Sequence, residues 1–274
     1  MRYYFLIISA AVLALINSVD EACGQDFNTS GGRASGMAGS SILLHDEYGL
    51  FNNPGSVQAN NLTFLAAYST KYLPIGINDV RIGMVLPLAK ITTGLGVLYF
   101  GDELFNQIRV SSLIADNFGF ASVALRANYH QFYVKNYGYR RALTFDIGGL
   151  FSLSEQLSFA MVFRNISRSK LLGETDNPLS SIIQMGLSYQ PIEKFRMDAQ
   201  LNKSITQATD LRFGIEYKVT ESISVRSGFS PSSTLAAMGL GIFLKTIILD
   251  FAGSYHQQLG YSGIISLKIM RTKP

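Results

Sequence analysis

The chain has 274 residues, of which 47% are hydrophobic and only 15% charged, with a formal net charge of +4; ordinary soluble domains carry roughly 25% charge. With 18 Phe, 14 Tyr and 25 Gly it is too aromatic and too weakly charged for a disordered polypeptide, and its glycines follow no period of three, so it is not collagenous. A single Cys excludes a disulfide scaffold.

The N-terminus begins with the positive Met1-Arg2 and continues as a nearly all-apolar run from Phe5 to Ile16. That run is too short to span a bilayer, which takes about 20 residues. Ala22 and Gly24 supply small residues at the −3 and −1 positions of a cleavage site. Residues 1–24 therefore read as a secretory signal peptide, and the mature chain is expected to start at Gln25. A lipid-carrying Cys23 is disfavoured because Asp20 stands where that signal needs a Leu-like side chain. After cleavage no cysteine remains, which suits an oxidising periplasm.

Residues 25–60 are rich in Gly, Ser and Ala and include Asn53-Pro54. By composition this segment is either a flexible linker or a compact plug of tight turns.

Residues 61–274 alternate. In Leu211–Val219, the residues Leu211, Phe213, Ile215, Tyr217 and Val219 share one face, and Arg212, Gly214, Glu216 and Lys218 share the other. Successive side chains of a strand point to opposite faces, so one face is apolar and the other polar or bare. The same period of two marks about fourteen segments, at 61–70, 78–88, 91–100, 104–114, 118–134, 139–152, 156–166, 180–190, 193–202, 208–219, 222–229, 234–244, 247–257 and 261–270; twelve to fourteen strands fit. From the second segment on, every other connection is tight: Ala89-Lys90, Asp116-Asn117, Ser154-Glu155, Pro191-Ile192, Thr220-Glu221 and Lys245-Thr246. The longest connection runs from Asn165 to Ser180. Short turns on one rim and longer loops on the other is the plan of outer-membrane barrels.

A soluble β-sandwich also alternates, but its polar face meets water and carries many Lys and Glu. Here that face carries Gly, Ser, Asn, Gln and scattered arginines. In lipid a sheet must close so that no edge N–H or C=O stays unpaired. The expected fold is therefore all-β: a transmembrane antiparallel β-barrel with an N-terminal luminal plug. Tyr68, Tyr99, Tyr129, Tyr133, Tyr217, Phe118, Phe159 and Phe195 lie near strand ends and suit the interfacial aromatic girdles. A charge at Phe213 should damage insertion, and a serine at Gly214 should be tolerated.

Arg81, Arg109, Arg126, Asp146, Arg164, Arg196, Asp198, Arg212, Glu216, Lys218, Arg226, Asp250 and Lys268 fall on the face opposite lipid. Buried charges must be paired or watered. These are expected to pair with one another and with Asp46 and Glu47 of the plug, the surplus of basic groups giving a weak preference for anions. The inward Gly83, Gly94, Gly96, Gly186, Gly214, Gly239 and Gly241 leave room for a plug. Gly148-Gly149 interrupts its strand and suggests a bulge or kink, the place where a wall opening would lie.

The run Gly31-Gly32-Arg33-Ala34-Ser35-Gly36-Met37-Ala38-Gly39, the acidic pair Asp46-Glu47 and then Asn53-Pro54 together resemble the N-terminal signature of FadL-like outer-membrane proteins. The run looks closest to the PorV/PorQ branch of Bacteroidota-type bacteria. It departs from the pattern at Ala38, where Gly is usual, and at Gly55-Ser56-Val57. The resemblance implies that Gly32, Arg33, Ala34, Gly36, Met37, Gly39, Asp46, Glu47, Asn53 and Pro54 belong to a hatch folded into the lumen. It implies two functions, of which the first is the expected one here and the second its alternative. In the PorV-like members the barrel serves type IX protein export by holding a secreted cargo or a secretion component. In the transporter members small hydrophobic molecules bind at the hatch and leave through the wall. Signal and barrel together place the protein in the bacterial outer membrane, in contact with its lipid.

No other chemistry stands out. His45, His130 and His256 lack metal-ligand spacing and sit beside no nucleophile motif. Gly39-Ser40-Ser41 is not a phosphate loop, and the basic residues are not clustered as nucleic-acid binding requires. No catalytic residue, metal or cofactor is expected. In the long connection, Arg168, Lys170, Leu171, Leu172, Glu174 and Asp176 mix charge with apolar groups. Lys170, Leu171 and Leu172 are the expected partner or ligand contact at the outer rim.

Overall fold

The computed structural model describes residues 29–73, 76–89, 91–172, 178–204 and 208–271. The expected signal peptide 1–24, Cys23 and the Gln25 start lie outside the described residues, as do Lys90, Glu174 and Asp176. Fourteen strands follow one another: β1 (Thr63–Lys71), β2 (Ile77–Leu88), β3 (Ile91–Gly101), β4 (Phe105–Asn117), β5 (Ala121–Val134), β6 (Gly138–Ser152), β7 (Leu157–Arg164), β8 (Ile182–Ile192), β9 (Phe195–Ser204), β10 (Asp210–Thr220), β11 (Ile223–Ser230), β12 (Leu235–Leu244), β13 (Ile247–His256) and β14 (Gly260–Met270). Each pairs with its neighbours in sequence, and β1 pairs with β14, so the sheet is a closed antiparallel barrel. Closure leaves no edge, which is what a sheet in hydrocarbon requires.

The period of two decides which face is which. Exposed and buried positions alternate strictly along β11. Ile82, Leu95, Val110, Leu125, Leu143, Leu187, Ile215, Phe229, Met238 and Ile265 point outward and are exposed. Such a continuous apolar surface is far larger than a soluble monomer displays. The inward positions carry the polar and charged residues.

The β2–β3, β4–β5, β6–β7, β8–β9, β10–β11 and β12–β13 connections lie on one rim, here the short-turn rim. The β1–β2, β3–β4, β5–β6, β7–β8, β9–β10, β11–β12 and β13–β14 connections lie on the opposite, long-loop rim. Two turns sit later in the chain than expected. Asp116-Asn117 ends β4, because the Asn117 side chain accepts the Gly119 N–H at 2.8 Å and moves the reversal to 118–120. Pro191-Ile192 belongs to β8, where a register shift after Tyr189 carries the strand past the proline.

The expected bulge at Gly148-Gly149 is not there. Ala124 pairs with Gly148 and Val123 with Gly149 in unbroken register, and β7 continues it through Gly148–Val162 and Gly149–Met161. The missing side chains serve a close approach instead. A Cβ on Gly148 would sit 2.8 Å from Pro54 Cδ and 2.9 Å from the Gly55 nitrogen. The β6–β7 ladder does stop early, at Ile147–Phe163. Beyond it the chain after β7 takes over, with Ile166 N–H donating to Phe145 O at 2.9 Å and Leu172 N–H to Arg141 O at 2.8 Å.

Candidate functional site

The candidate site is the segment from Ser30 to Val57 and the inner wall that receives it. It holds one short helix, α1 (Gly32–Gly36), and two 3-10 turns at Glu47–Leu50 and Pro54–Ser56. Polar side chains set the turns. Asp46 accepts the Tyr48 N–H at 3.0 Å. Asn53 accepts the Gly55 N–H at 2.9 Å and donates to Ile42 O at 2.7 Å and to Gly149 O at 3.1 Å. Asn53 thus ties two turns of the segment to each other and to β6. Pro54 follows at the first position of its turn, where its missing N–H leaves nothing unsatisfied.

Almost every residue of this segment is buried. Helix α1 packs on β11 to β14, and the Pro54–Ser56 turn packs on β4 to β7. Helix and wall approach at backbone distance: a Cβ on Gly36 would lie 2.9 Å from the Gly239 Cα. Apolar side chains of the segment enter apolar patches of the inner wall. Tyr48, Leu50, Phe51 and Val57 pack with Leu65, Ala67, Val85, Leu113, Ala115 and Ala124, and Ile42 and Leu43 with Leu150, Ala160 and Val162. Those inward apolar residues are absent from the sequence expectation, which took the inner face as polar throughout. The signal was available: Leu65, Val85, Leu113 and Val162 sit on the face opposite the lipid-facing rows.

Gly214 also corrects an expectation. It faces inward, but a Cβ there would lie 2.7 Å from Met37 Cβ. Serine should therefore disturb the segment rather than pass unnoticed.

The inward charges form two groups. Towards the short-turn rim, Arg33 grips Glu216 with both Nε and Nη2 and lies 3.4 Å from Asp46. Arg226 donates to Glu216 at 2.7 Å and to Asp250 at 2.6 Å, and Lys268 meets Glu47 at 3.3 Å. Arg196 pairs with Asp198 at 2.9 Å. Towards the long-loop rim, Arg126 pairs with Asp146 at 2.7 Å, Arg81 with Asp79 at 2.6 Å, and Arg212 with Asp210. Asp79 and Asp210 are additions to the expected set. Asp79-Arg81, Arg196-Asp198 and Asp210-Arg212 are two residues apart, the spacing of neighbours on one face of a strand.

The wall arginines also hold the segment by its main chain. Arg126 donates to Leu50 O at 2.8 Å, Arg164 to Asn52 O at 3.1 Å, Arg212 to Gly39 O at 3.3 Å, and Arg196 to Leu43 O. Gln200 Oε1 accepts the N–H groups of Ser41 and Ile42, at 2.8 and 3.1 Å. Irregular backbone at this depth cannot satisfy itself, and an unpaired peptide group in an apolar medium costs several kcal/mol. The polar inner wall supplies the missing partners.

Between the segment and the short-turn rim lies a cavity of about 590 Å³, bordered by Arg33, His45, Glu47, Lys218 and Lys268 among others. Burial, then Arg196 and Arg33, holds the His45 imidazole down at about 4. On the opposite rim, Lys170 bridges to Pro178, Leu171 is half-buried and Leu172 is exposed. The structure places these three outside the lumen. Their loop is rooted there, however, since Asn165 N–H donates to Asp146 at 2.8 Å. Among the described residues no group of three or more His, Cys, Asp or Glu could hold a metal.

No protein-family model and no curated protein matches the sequence. Solved structures match the fold. The CymD monoaromatic hydrocarbon channel superposes with a TM-score of 0.68 at 11% identity, over 89% of this chain and 98% of its own. The Pseudomonas putida toluene transporter TodX gives 0.65 at 10% identity, over 91% and 100%. A Pseudomonas aeruginosa FadL homologue gives 0.61 at 12% identity, over 88% and 98%. The chain therefore has the closed fourteen-strand architecture of FadL-like outer-membrane channels.

Proposed function

We propose that the protein is an outer-membrane passage for small, mainly hydrophobic molecules, closed at rest by residues 30–57 acting as a hatch. The observation that carries this reading is the way the hatch is held. It is seated in the lumen by side-chain hydrogen bonds to its main-chain carbonyls and by apolar packing on the inner wall, with no strand of its own in the wall. Such a segment can shift without breaking the barrel ladder. The fold shared with a toluene transporter and a hydrocarbon channel supports the same ligand class. No catalytic role is assigned to any residue. Deleting residues 27–56, with the signal and cleavage site kept, should turn a nearly silent protein into a steady ion channel in planar bilayers. Equal conductance of the intact and truncated proteins would return the protein to the open porins.

A second reading, an accessory of protein export that holds a secreted cargo or a secretion component, draws on the signature in Gly31–Gly39, Asp46-Glu47 and Asn53-Pro54. What copurifies with the native barrel separates the two: small apolar ligands for the first, a secreted polypeptide for the second.

A further inference from the structure

We propose that the lumen contains an anion site centred on Arg109, whose paired donors match two oxygens of one carboxylate or phosphate-type oxyanion. Arg109 lies on the inner face of β4, four residues from its start at the long-loop rim. Its side chain is only 8% exposed. Its Nε and Nη2 are buried and make no hydrogen bond among the described residues.

These two nitrogens form one edge of the guanidinium, the pair of parallel donors that matches a carboxylate or phosphoryl group. The same lumen shows what that edge takes. Arg33 holds the two oxygens of Glu216 by its Nε and Nη2. Arg126 holds Asp146 by the same two atoms, at 3.0 and 2.7 Å. Arg109 presents an equivalent edge without an acid.

Nor can its neighbours supply one. Arg81, Arg126 and Arg164 all add positive field at Arg109, and Asp146 is the acid that opposes it. Asp146 already accepts two bonds from Arg126, one from Asn128 and one from the Asn165 N–H. Asp79, the other acid in this group, is held by Arg81. Arg164 uses its donors on neutral oxygens, Gln184 Oε1 at 2.7 Å and Asn52 O at 3.1 Å. Across the ladder, His130 sits between Gln107 and Thr144, 3.0 Å from each. With the Gln107 amide donating to Nδ1, its ring is neutral and donates to Thr144. Around Arg109, the guanidinium groups of Arg81, Arg126 and Arg164 share the acids Asp79 and Asp146, and both carboxylates are engaged. An uncompensated buried cation is strongly unfavourable, so an anion from outside the chain completes the group, reaching it as the side chains that cover these nitrogens part. This inference does not depend on the passage reading, because it concerns binding at equilibrium.

The test is a titration of the purified full-length barrel, in neutral detergent, with benzoate and separately with inorganic phosphate, followed by calorimetry. At least one should bind saturably, at about one per barrel. Arg109→Gln should weaken that binding by about ten- to a hundredfold, the range for hydrogen bonds to a charged group. Arg109→Lys keeps the charge but loses the paired donors, and should weaken it about tenfold. Binding of benzoate alone identifies the acid of an organic ligand; binding of phosphate, an inorganic oxyanion. Without added anion, Arg109→Gln should unfold no earlier than the wild type, because it removes an uncompensated charge. Failure of both probes to bind, unchanged binding by Arg109→Gln, or a Gln variant that cannot fold would each overturn the proposal.

Discussion

Asp146→Asn isolates the contact between hatch and wall. Asp146 Oδ2 accepts from Arg126 Nε at 3.0 Å, Arg126 Nη2 at 2.7 Å and Asn128 Nδ2 at 2.8 Å, and Oδ1 accepts the Asn165 N–H at 2.8 Å. An amide in its place turns one oxygen into a donor facing other donors and leaves Arg126, which is 0% exposed, without its counter-charge. Breaking a buried pair in this way costs about 3–5 kcal/mol. The barrel ladder spreads its strength over fourteen strand pairings, whereas the hatch depends on a few contacts, among them Arg126 to Leu50 O. The loss should fall on the hatch first. Single-channel recording should show bursts of conductance that the wild type lacks, and heat-modifiable gel mobility should show a lower unfolding temperature. The double variant Arg126→Met/Asp146→Leu removes both charges, so the unfolding temperature should recover. The bursts should persist, because the Leu50 and Asn52 carbonyls then lose the Arg126 donor itself. A single variant indistinguishable from the wild type, or a double variant restored to silence, would refute this account of how the hatch is held.

Three further outcomes are expected. Phe213 points outward and stacks on Phe229 at 5.1 Å; Phe213→Arg should reduce the folded fraction in liposomes, a charge near the midplane costing about 2–4 kcal/mol, while Gly214→Ser should fold normally but conduct, because it pushes on Met37. His45 is held at about 4 against an ordinary 6.5, so the seated hatch keeps it neutral; seating should be at full strength above pH 6.5 and weaken as the pH falls towards 4, a conductance change that His45→Gln abolishes over that interval. Protease added to whole cells should cut between Asn165 and Ser180 and spare the short turns; cleavage there only after lysis would mean that the barrel is oriented the other way.

The barrel was legible because its signal is repeated along every strand. Leu211–Val219 alone separates an apolar row from a charged one, and β10 (Asp210–Thr220) lies within two residues of that reading. The inner wall was less legible because its side chains answer to two environments. Arg126 and Glu216 fit a watered lumen, but Leu65, Leu113 and Val162 fit only if something apolar sits against them, and that depends on where Leu50, Phe51 and Leu43 arrive. A short strand pattern carries no information about such distant partners. Gly148-Gly149 shows the same limit. Absence of side chains can signal a kink or a close approach, and only the position of Pro54 decides between them.

The join between the first and last strands has a consequence for assembly. Tyr48 hydroxyl donates to Ala66 O of β1 at 2.7 Å and lies 3.1 Å from Leu267 O of β14, Gly32 N–H donates to Ser266 of β14, and Lys268 of the same strand meets Glu47. One end of the hatch is covalently continuous with β1, and its middle is pinned to both sides of the seam. In assembly the eight residue pairs of the seam, Thr63–Met270 to Thr70–Gly263, close the ring, and the seated hatch adds a second set of ties across it. A hatch that leaves its seat gives up those ties while the ring stays closed.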